Sequence, residues 1–248
     1  MDRPMPLTGH LAALRRVLLI SGAAVAVCSL AVFFGLSDYL VEILLKPLRL
    51  LNVPVITTRV GEALLTKIRI SLLGGLVLGF PVVAWQLGGY LWPALRESER
   101  RLALTLFPVS AILFAAGALF SYYVILPLAV RFLLVVTAGE FNPMITLREY
   151  VSFTGALLVP GSLVFEAPLV LYLLARLDVV TPAGLRRRRK HVYLGVFILA
   201  ALLTPGTDVL SQVAVAVPTL LLYEAGIVLA GLVERSRRKT AAVKARAA

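Results

Sequence analysis

Six long apolar runs divide this chain, and they constrain its fold more than any other feature of the sequence. They cover residues 17–36, 68–91, 102–126, 151–175, 192–203 and 209–232. Hydrophobic residues make up 60% of the 248 positions and charged residues 15%, and the mean hydropathy is +0.92, which excludes a water-soluble domain. Since lipid cannot satisfy backbone polar groups, such runs predict helices. We therefore expect an all-α polytopic membrane protein with six transmembrane helices.

Basic residues are unevenly distributed around these runs. Most of the 25 Lys and Arg residues lie before the first run, after the last, and in the turns after the second and fourth. The positive-inside rule places those segments, and so both termini, in the cytoplasm. Topology and contact with anionic lipids therefore explain the net charge of +12 better than nucleic-acid binding does. We expect one membrane domain over 1–234 and a basic, disordered cytoplasmic tail over 235–248.

The last two spans are expected to be short. As a helix, 192–203 is only about 18 Å long, against a hydrocarbon core of about 30 Å. A crossing through locally thinned membrane accommodates this length, and a re-entrant hairpin is the alternative. Thr204 to Thr207 would form the tight turn that either arrangement needs.

Local signals refine this outline. Ser37 is placed to cap a short interfacial helix over 38–46 that Pro47 would end. Gly75 and Gly79 form a GxxxG pair that predicts a close internal helix contact rather than a dimer face. Helices that contain prolines tend to kink, which predicts a concave assembly; the prolines within or beside the runs are Pro81, Pro108, Pro160, Pro168 and Pro218.

Glu166 lies within an otherwise uncharged run, between Pro160 and Pro168. An ionisable side chain at membrane depth costs free energy and commonly marks a functional site. The alternative to a functional role is a structural one, in which Glu166 is hydrogen-bonded and fixes helix packing. Glu224 lies nearer the cytoplasmic end of the last run, where a structural role with access to water is expected.

The turn after the second run, 90–101, concentrates aromatic and charged residues. Carboxylates beside aromatic side chains could bind an arginine-bearing peptide, because a carboxylate accepts the guanidinium in bidentate fashion. Alternatively, Glu97 and Glu99 only stabilise the start of the third transmembrane helix. Cys28 is the single cysteine, which excludes a disulfide within one chain, and His10 and His191 are far apart, so we expect no metal or other cofactor.

Over about 6–234 the sequence resembles the TatC family, the multispanning receptor of the twin-arginine protein translocase. The individual motifs are short, but their order and spacing together are specific. The residues that carry the resemblance are His10, Leu11, Leu14 and Arg15, then Phe80 and Pro81, the segment Trp92 to Leu95, Glu99 to Arg101, then Phe165, Glu166 and Pro168, the segment Leu203 to Pro205, then Asp208, Ser211, Gln212, Tyr223 and Glu224.

The resemblance implies a receptor without enzymatic activity in the prokaryotic cytoplasmic membrane. It would bind twin-arginine signal peptides, assemble as a hetero-oligomer of several copies with single-span TatA and possibly TatB proteins, and export folded proteins using the proton motive force. Glu166 would face the concave interior and contact an inserted helix. The signal-peptide site implied is Arg15, Tyr90, Trp92, Pro93, Glu97, Glu99 and Arg100. Structural or partner contacts are implied for Pro47, Pro168, Pro205, Asp208, Gln212 and Glu224.

Two positions depart from the family pattern. Ala13 stands where most relatives have a glutamate that helps to bind the arginine pair, and Tyr90 stands where phenylalanine is usual. Arginine binding would then depend on Glu99, with Glu97 as a possible substitute. The alternative function is a proton- or cation-coupled secondary transporter that uses Glu166, although the first run holds no matching carboxylate.

Overall fold

The computed structural model describes residues 7–91, 97–137, 144–203 and 209–247, which are almost entirely helical. Two strands of two residues each pair in parallel, with Val55 opposite Ile145 and Ile56 opposite Thr146. In chain order the elements are α1 (Leu7–Gly35), α2 (Ser37–Leu50), β1 (Val55–Ile56), α3 (Glu62–Leu91), α4 (Glu97–Phe120), a π-helical turn (Ser121–Ile125), α5 (Leu126–Thr137), β2 (Ile145–Thr146), α6 (Leu147–Val164), α7 (Ala167–Arg176), α8 (Pro182–Arg187), α9 (Arg189–Leu203) and α10 (Val209–Ala247).

Among the described residues, five helical stretches are long and apolar enough to cross a membrane, which confirms the predicted helical membrane fold. They are Leu11–Gly35, Glu62–Tyr90, Thr105–Phe132, Leu147–Arg176 and Gln212–Ser236. Helix α9, with 15 residues, is short as expected. The sixth crossing, the cytoplasmic termini and the concave assembly stay predictions.

The last apolar run differs from its expectation. Its candidate span, Gln212–Ser236, has 25 residues, so the prediction of a short final span is wrong. Helix α10 then continues to Ala247, and the backbone of 235–247 is helical where the sequence predicts a disordered tail. The segment is rich in Ala, Lys and Arg, which have high helix propensity, and it continues a helix that is already nucleated.

The described residues form two compact units. The first lies within Met1–Ala115 and Thr137–Gly155, and the second within Ala116–Val136 and Ala156–Ala248. In the first unit α1 packs along α3. A Cβ added to Gly75 would lie 2.6 Å from the Cα of Ser29, and one added to Gly79 would lie 3.2 Å from the Cα of Val25. The predicted internal role of the GxxxG pair is therefore confirmed.

Helix α2 is longer than the sequence predicts. It begins at Ser37, which is its first residue and not its cap, and passes through Pro47 to Leu50. Leu44 and Leu48 are buried on either side of the proline, so packing maintains the helix through a residue that lacks an N–H. The helix ends instead at Leu50, and two residues later Asn52 has a φ of +54° and donates its N–H to the Arg49 carbonyl at 3.1 Å. Asparagine adopts this left-handed conformation more readily than most residues.

In the second unit, a π-helical turn joins α4 to α5. The helix of the third run therefore continues to Thr137, past residue 126, where the apolar run ends. Ser121, the first residue of this turn, is fully buried and lies against Gly161 of α6. Helix α10 packs on α7, α8 and α9. Gly226 of α10 allows this approach, because a Cβ there would lie 3.3 Å from the Cα of Pro168.

Candidate functional site

Glu166 lies at a break in the fourth apolar run. Helix α6 ends at Val164 and α7 begins at Ala167, with Glu166 as the residue that precedes α7. Its N–H donates to the Leu163 carbonyl at 3.1 Å, and its own carbonyl accepts from Val170 at 2.9 Å. Pro168 has no N–H to donate, and its ring crowds the carbonyl four residues earlier, so it is favoured in the first turn of a helix and weakens a helix that would pass through it. The proline therefore accounts for the break beside Glu166.

Glu166 directly follows a residue that lines an apolar cavity. Its side chain is half-buried, and the Phe165 ring packs against Phe120 with centroids 5.4 Å apart. A cavity of about 20 Å³ opens beside this pair, between the π-helical turn, α6 and α10. Its lining is Phe120, Ile125, Ala156, Leu157, Pro160, Gly161, Val164, Phe165, Val215, Pro218 and Thr219. A carboxylate thus directly follows two cavity-lining residues, Val164 and Phe165, in a helix that is already interrupted.

The predicted signal-peptide site is described only in part. Arg15 is exposed on α1, and Tyr90 is half-buried at the end of α3. Helix α4 begins at Glu97, which places Glu97, Glu99 and Arg100 in its first turn. Carboxylates at the N-terminus of a helix interact favourably with the helix dipole. The side chains of these three residues, and the whole of Trp92 and Pro93, lie outside the described residues. The assembly of this site stays a prediction.

Glu224 is half-buried on α10, where it accepts two hydrogen bonds. Arg189 Nη2 donates to Oε2 at 2.5 Å, and the Tyr193 hydroxyl donates to Oε1 at 2.7 Å. The neighbouring Tyr223 hydroxyl donates to the Leu185 carbonyl at 3.0 Å. These contacts tie α8 and α9 to α10 and support a structural role for Glu224. Its partners are remote in sequence, and only knowledge of the helix pairing would have identified them.

The other predicted contact residues lie in different places. Gln212 Nε2 donates to the Phe197 carbonyl at 2.8 Å, which joins α10 to α9. Pro168 is buried against α10, whereas Pro47 is half-buried within α2. Pro205 and Asp208 lie outside the described residues.

Glu62 is a buried carboxylate that the predicted site residues do not include. This carboxylate is only 4% exposed and begins α3. Its Oε2 accepts from the N–H of Thr58 at 2.7 Å, from the Thr58 hydroxyl at 2.9 Å and from the N–H of Arg59 at 3.2 Å. An acidic residue shortly before an apolar run, here the run that begins at residue 68, is a helix-start signal that could have identified it.

The family model for the Sec-independent protein translocase protein (TatC) matches residues 9–218. The chain belongs to the TatC family. Among curated TatC proteins it is 41% identical to that of Carboxydothermus hydrogenoformans, over 94% of this chain and 96% of the relative. It is 38% identical to TatC of Aquifex aeolicus, over 95% of this chain and 98% of the relative.

The fold of this TatC-family chain also matches a solved structure. A crystal structure described as the twin arginine translocase receptor TatC superimposes with a TM-score of 0.81 at 38% identity. The match covers 91% of this chain and 99% of that chain. Sequence and fold therefore agree on the family over nearly the whole length.

Proposed function

We propose that this chain is the receptor for twin-arginine signal peptides and the core subunit of a translocase that exports folded proteins. The observation that carries the proposal is the TatC family match, supported by the similarity to a solved twin-arginine receptor over 91% of the chain. The chain performs no enzymatic chemistry in this proposal. It supplies binding surfaces, and the proton motive force drives transport.

Arginine binding is assigned to the cytoplasmic side. Glu99, in the first turn of α4, pairs with the arginines of the signal peptide, and Glu97 can substitute for it. A carboxylate accepts the planar guanidinium through two parallel hydrogen bonds, which a lysine cannot make. Arg15 and the segment from Tyr90 to Pro93 complete the docking surface, with Arg100 following Glu99.

Glu166 is assigned a separate step within the membrane. The break between α6 and α7, which interrupts the helix beside the carboxylate, supports a site where an inserted helix contacts Glu166. A polar group on that helix, from the signal peptide or a partner subunit, lowers the cost of holding the carboxylate in lipid. Docking at Glu99 and insertion at Glu166 are therefore successive events.

The assembly proposed is a hetero-oligomer in the prokaryotic cytoplasmic membrane. Single-span TatA proteins, and TatB proteins where present, associate with several copies of this chain. Both termini lie in the cytoplasm, and six helices cross the bilayer, α9 through thinned membrane. The excess of Lys and Arg in the segments assigned to the cytoplasm supports this orientation.

A photo-crosslinker at residue 99 tests the docking site. We expect the full chain, in membranes with its single-span partners, to crosslink a twin-arginine signal peptide and not a twin-lysine one. The same crosslinker at residue 59, in the segment assigned to the opposite side, serves as the matched control. Equal labelling by both peptides at residue 99, or equal labelling at residues 99 and 59, would contradict the assignment.

A further inference from the structure

Arg69 places a positive charge within a candidate membrane-spanning helix. The function proposed above gives this charge no role. The candidate span Glu62–Tyr90 has 29 residues, a length of about 43 Å against a hydrocarbon core of about 30 Å. Centring the span leaves about 6 Å of helix outside the hydrocarbon at each end, and Arg69 lies about 10 Å from the helix start. Its Cα is therefore a few ångströms inside the hydrocarbon, and its side chain can reach the headgroup layer.

The described contact of Arg69 is with a neutral group. Nη1 donates to the hydroxyl of Ser152, on α6, at 2.6 Å. No carboxylate of the described residues forms an ion pair with Arg69. Two apolar residues beside it on α3 are exposed, Leu65 at 59% and Leu72 at 56%. A guanidinium with further N–H donors thus lies on an apolar surface, where an uncompensated charge is costly.

A second guanidinium lies at the same end of the two helices. Arg148 precedes Ser152 by one helical turn, so the two residues share a face of α6. The N–H of Arg148 donates to Glu62 Oε1 at 3.0 Å, which fixes the start of α6 beside the start of α3. The Arg148 side chain is exposed and, like Arg69, makes no ion pair with a described carboxylate.

Nearby charges leave this pair uncompensated. Lys67 pairs with Asp38 of α2, which occupies both of those groups. Glu149 is exposed and, three residues before Ser152, also neighbours that hydroxyl on α6, but it forms no ion pair with either arginine among the described residues. Glu62 is buried, and its carboxylate accepts from backbone N–H groups and the Thr58 hydroxyl.

We propose that Arg69, Arg148 and Ser152 bind the phosphate group of an anionic phospholipid. Guanidinium groups bind phosphate oxygens in bidentate fashion, and the Ser152 hydroxyl supplies another donor. The acyl chains lie along the exposed surface of Leu65 and Leu72. Basic pockets between transmembrane helices are suited to such headgroups, and a choline headgroup adds a cation that these arginines repel. In the orientation proposed above, the lipid belongs to the outer leaflet.

Lipid retention by the full-length purified protein tests the proposal. Native mass spectrometry after exchange into phosphatidylglycerol or phosphatidylcholine of the same acyl composition measures the lipid that remains bound. We expect the wild type to retain about tenfold more phosphatidylglycerol, and Arg69→Gln and Arg148→Gln each to abolish most of this preference. Arg59→Gln, an equal charge change at the same end, should keep it. Loss of the preference in Arg59→Gln, or its retention in both other variants, would overturn the proposal.

Two further experiments use the wild-type protein and so do not depend on a variant that folds. Photo-reactive phosphatidylglycerol, with its reactive group near the phosphate, should label wild-type residues within 65–72 and 148–152. Labelling confined to other segments would refute the site. Excess inorganic phosphate should leave the retained phosphatidylglycerol unchanged, whereas displacement would show a site for free phosphate and overturn the assignment to a lipid.

Discussion

Glu62 accepts a hydrogen bond at Oε1 from the backbone N–H of Arg148, at 3.0 Å, and so joins segments 86 residues apart. The same carboxylate accepts at Oε2 from the N–H groups of Thr58 and Arg59. A single buried side chain therefore holds the connection before α3 against the start of α6, next to the parallel pair β1 and β2. This relationship gives the first unit its fixed geometry at the end where Arg69 lies.

Replacing Glu62 should loosen this connection. Glu62→Ala removes the acceptor of three partly buried hydrogen bonds, from the backbone N–H groups of Thr58, Arg59 and Arg148, and an N–H group that loses its acceptor is costly where water cannot replace it. We expect the midpoint of thermal unfolding in detergent to fall by about 3 °C or more. Glu42→Ala, at an exposed acid on α2 whose nearest Arg49 nitrogen is 3.9 Å away, is the control and should change the midpoint little. Equal midpoints for the Glu62 variant and the wild type would contradict this role.

Tyr150 provides a second link in the same unit. Its side chain is 3% exposed, and its hydroxyl donates to the Leu44 carbonyl of α2 at 2.7 Å. Tyr150→Phe keeps the ring and removes this bond, so we expect a loss of about 1 kcal/mol in the free energy of unfolding. Denaturant titration in mixed micelles measures it. Tyr39→Phe, at a side chain that is 62% exposed, should be neutral, and similar losses in both variants would argue against the link.

The close approach of α1 and α3 predicts different effects for two glycines. An added Cβ at Gly75 would lie 2.6 Å from the Cα of Ser29, whereas one at Gly22 would meet no atom within 4 Å. Gly75→Ala should therefore destabilise the protein by about 2 kcal/mol through overpacking, although alanine favours the helix. Gly22→Ala should be neutral or stabilising. The unfolding free energies of both variants test this difference, and a stable Gly75→Ala protein would show that the helices can separate at little cost.

The sequence predicts much of this architecture because lipid leaves few alternatives to helices. Apolar runs identify the five long spans, and the Gly75 and Gly79 pair identifies a close contact, since both signals depend on local composition. The prediction that Pro47 ends α2 is wrong, because the burial of Leu44 and Leu48 maintains the helix through the proline. Such tertiary packing cannot be read from a single segment.

The candidate site shows the same division between local and distant information. Glu166 is conspicuous in the sequence as a charge in an apolar run, and the structure places it at a helix break. The Arg189 and Tyr193 partners of Glu224 depend on how α9 pairs with α10. The role of Glu62 likewise needs the distant Arg148, although the local signal at the start of α3 was available.

Substitution of Glu166 should separate docking from transport. Glu166→Ala removes the carboxylate beside the apolar cavity and leaves the assigned docking residues unchanged. We expect the affinity for a twin-arginine signal peptide to stay within about twofold of the wild type, since the lost side chain makes no contact during docking. Export of folded cargo in membrane vesicles should fall strongly. Glu149→Ala, at an exposed acid of α6, is the control, and an equal loss of docking and export in Glu166→Ala would contradict two successive steps.

The affinity of a twin-arginine signal peptide for the Glu99→Gln variant tests the proposed receptor function most directly. Fluorescence titration of the reconstituted full chain, with its single-span partners, compares this variant with the wild type. Loss of a charge-assisted bond should weaken binding at least about tenfold, or about 1.5 kcal/mol, while a twin-lysine peptide binds both proteins weakly. An unchanged affinity for the twin-arginine peptide would exclude Glu99 from the site and contradict arginine capture at this position.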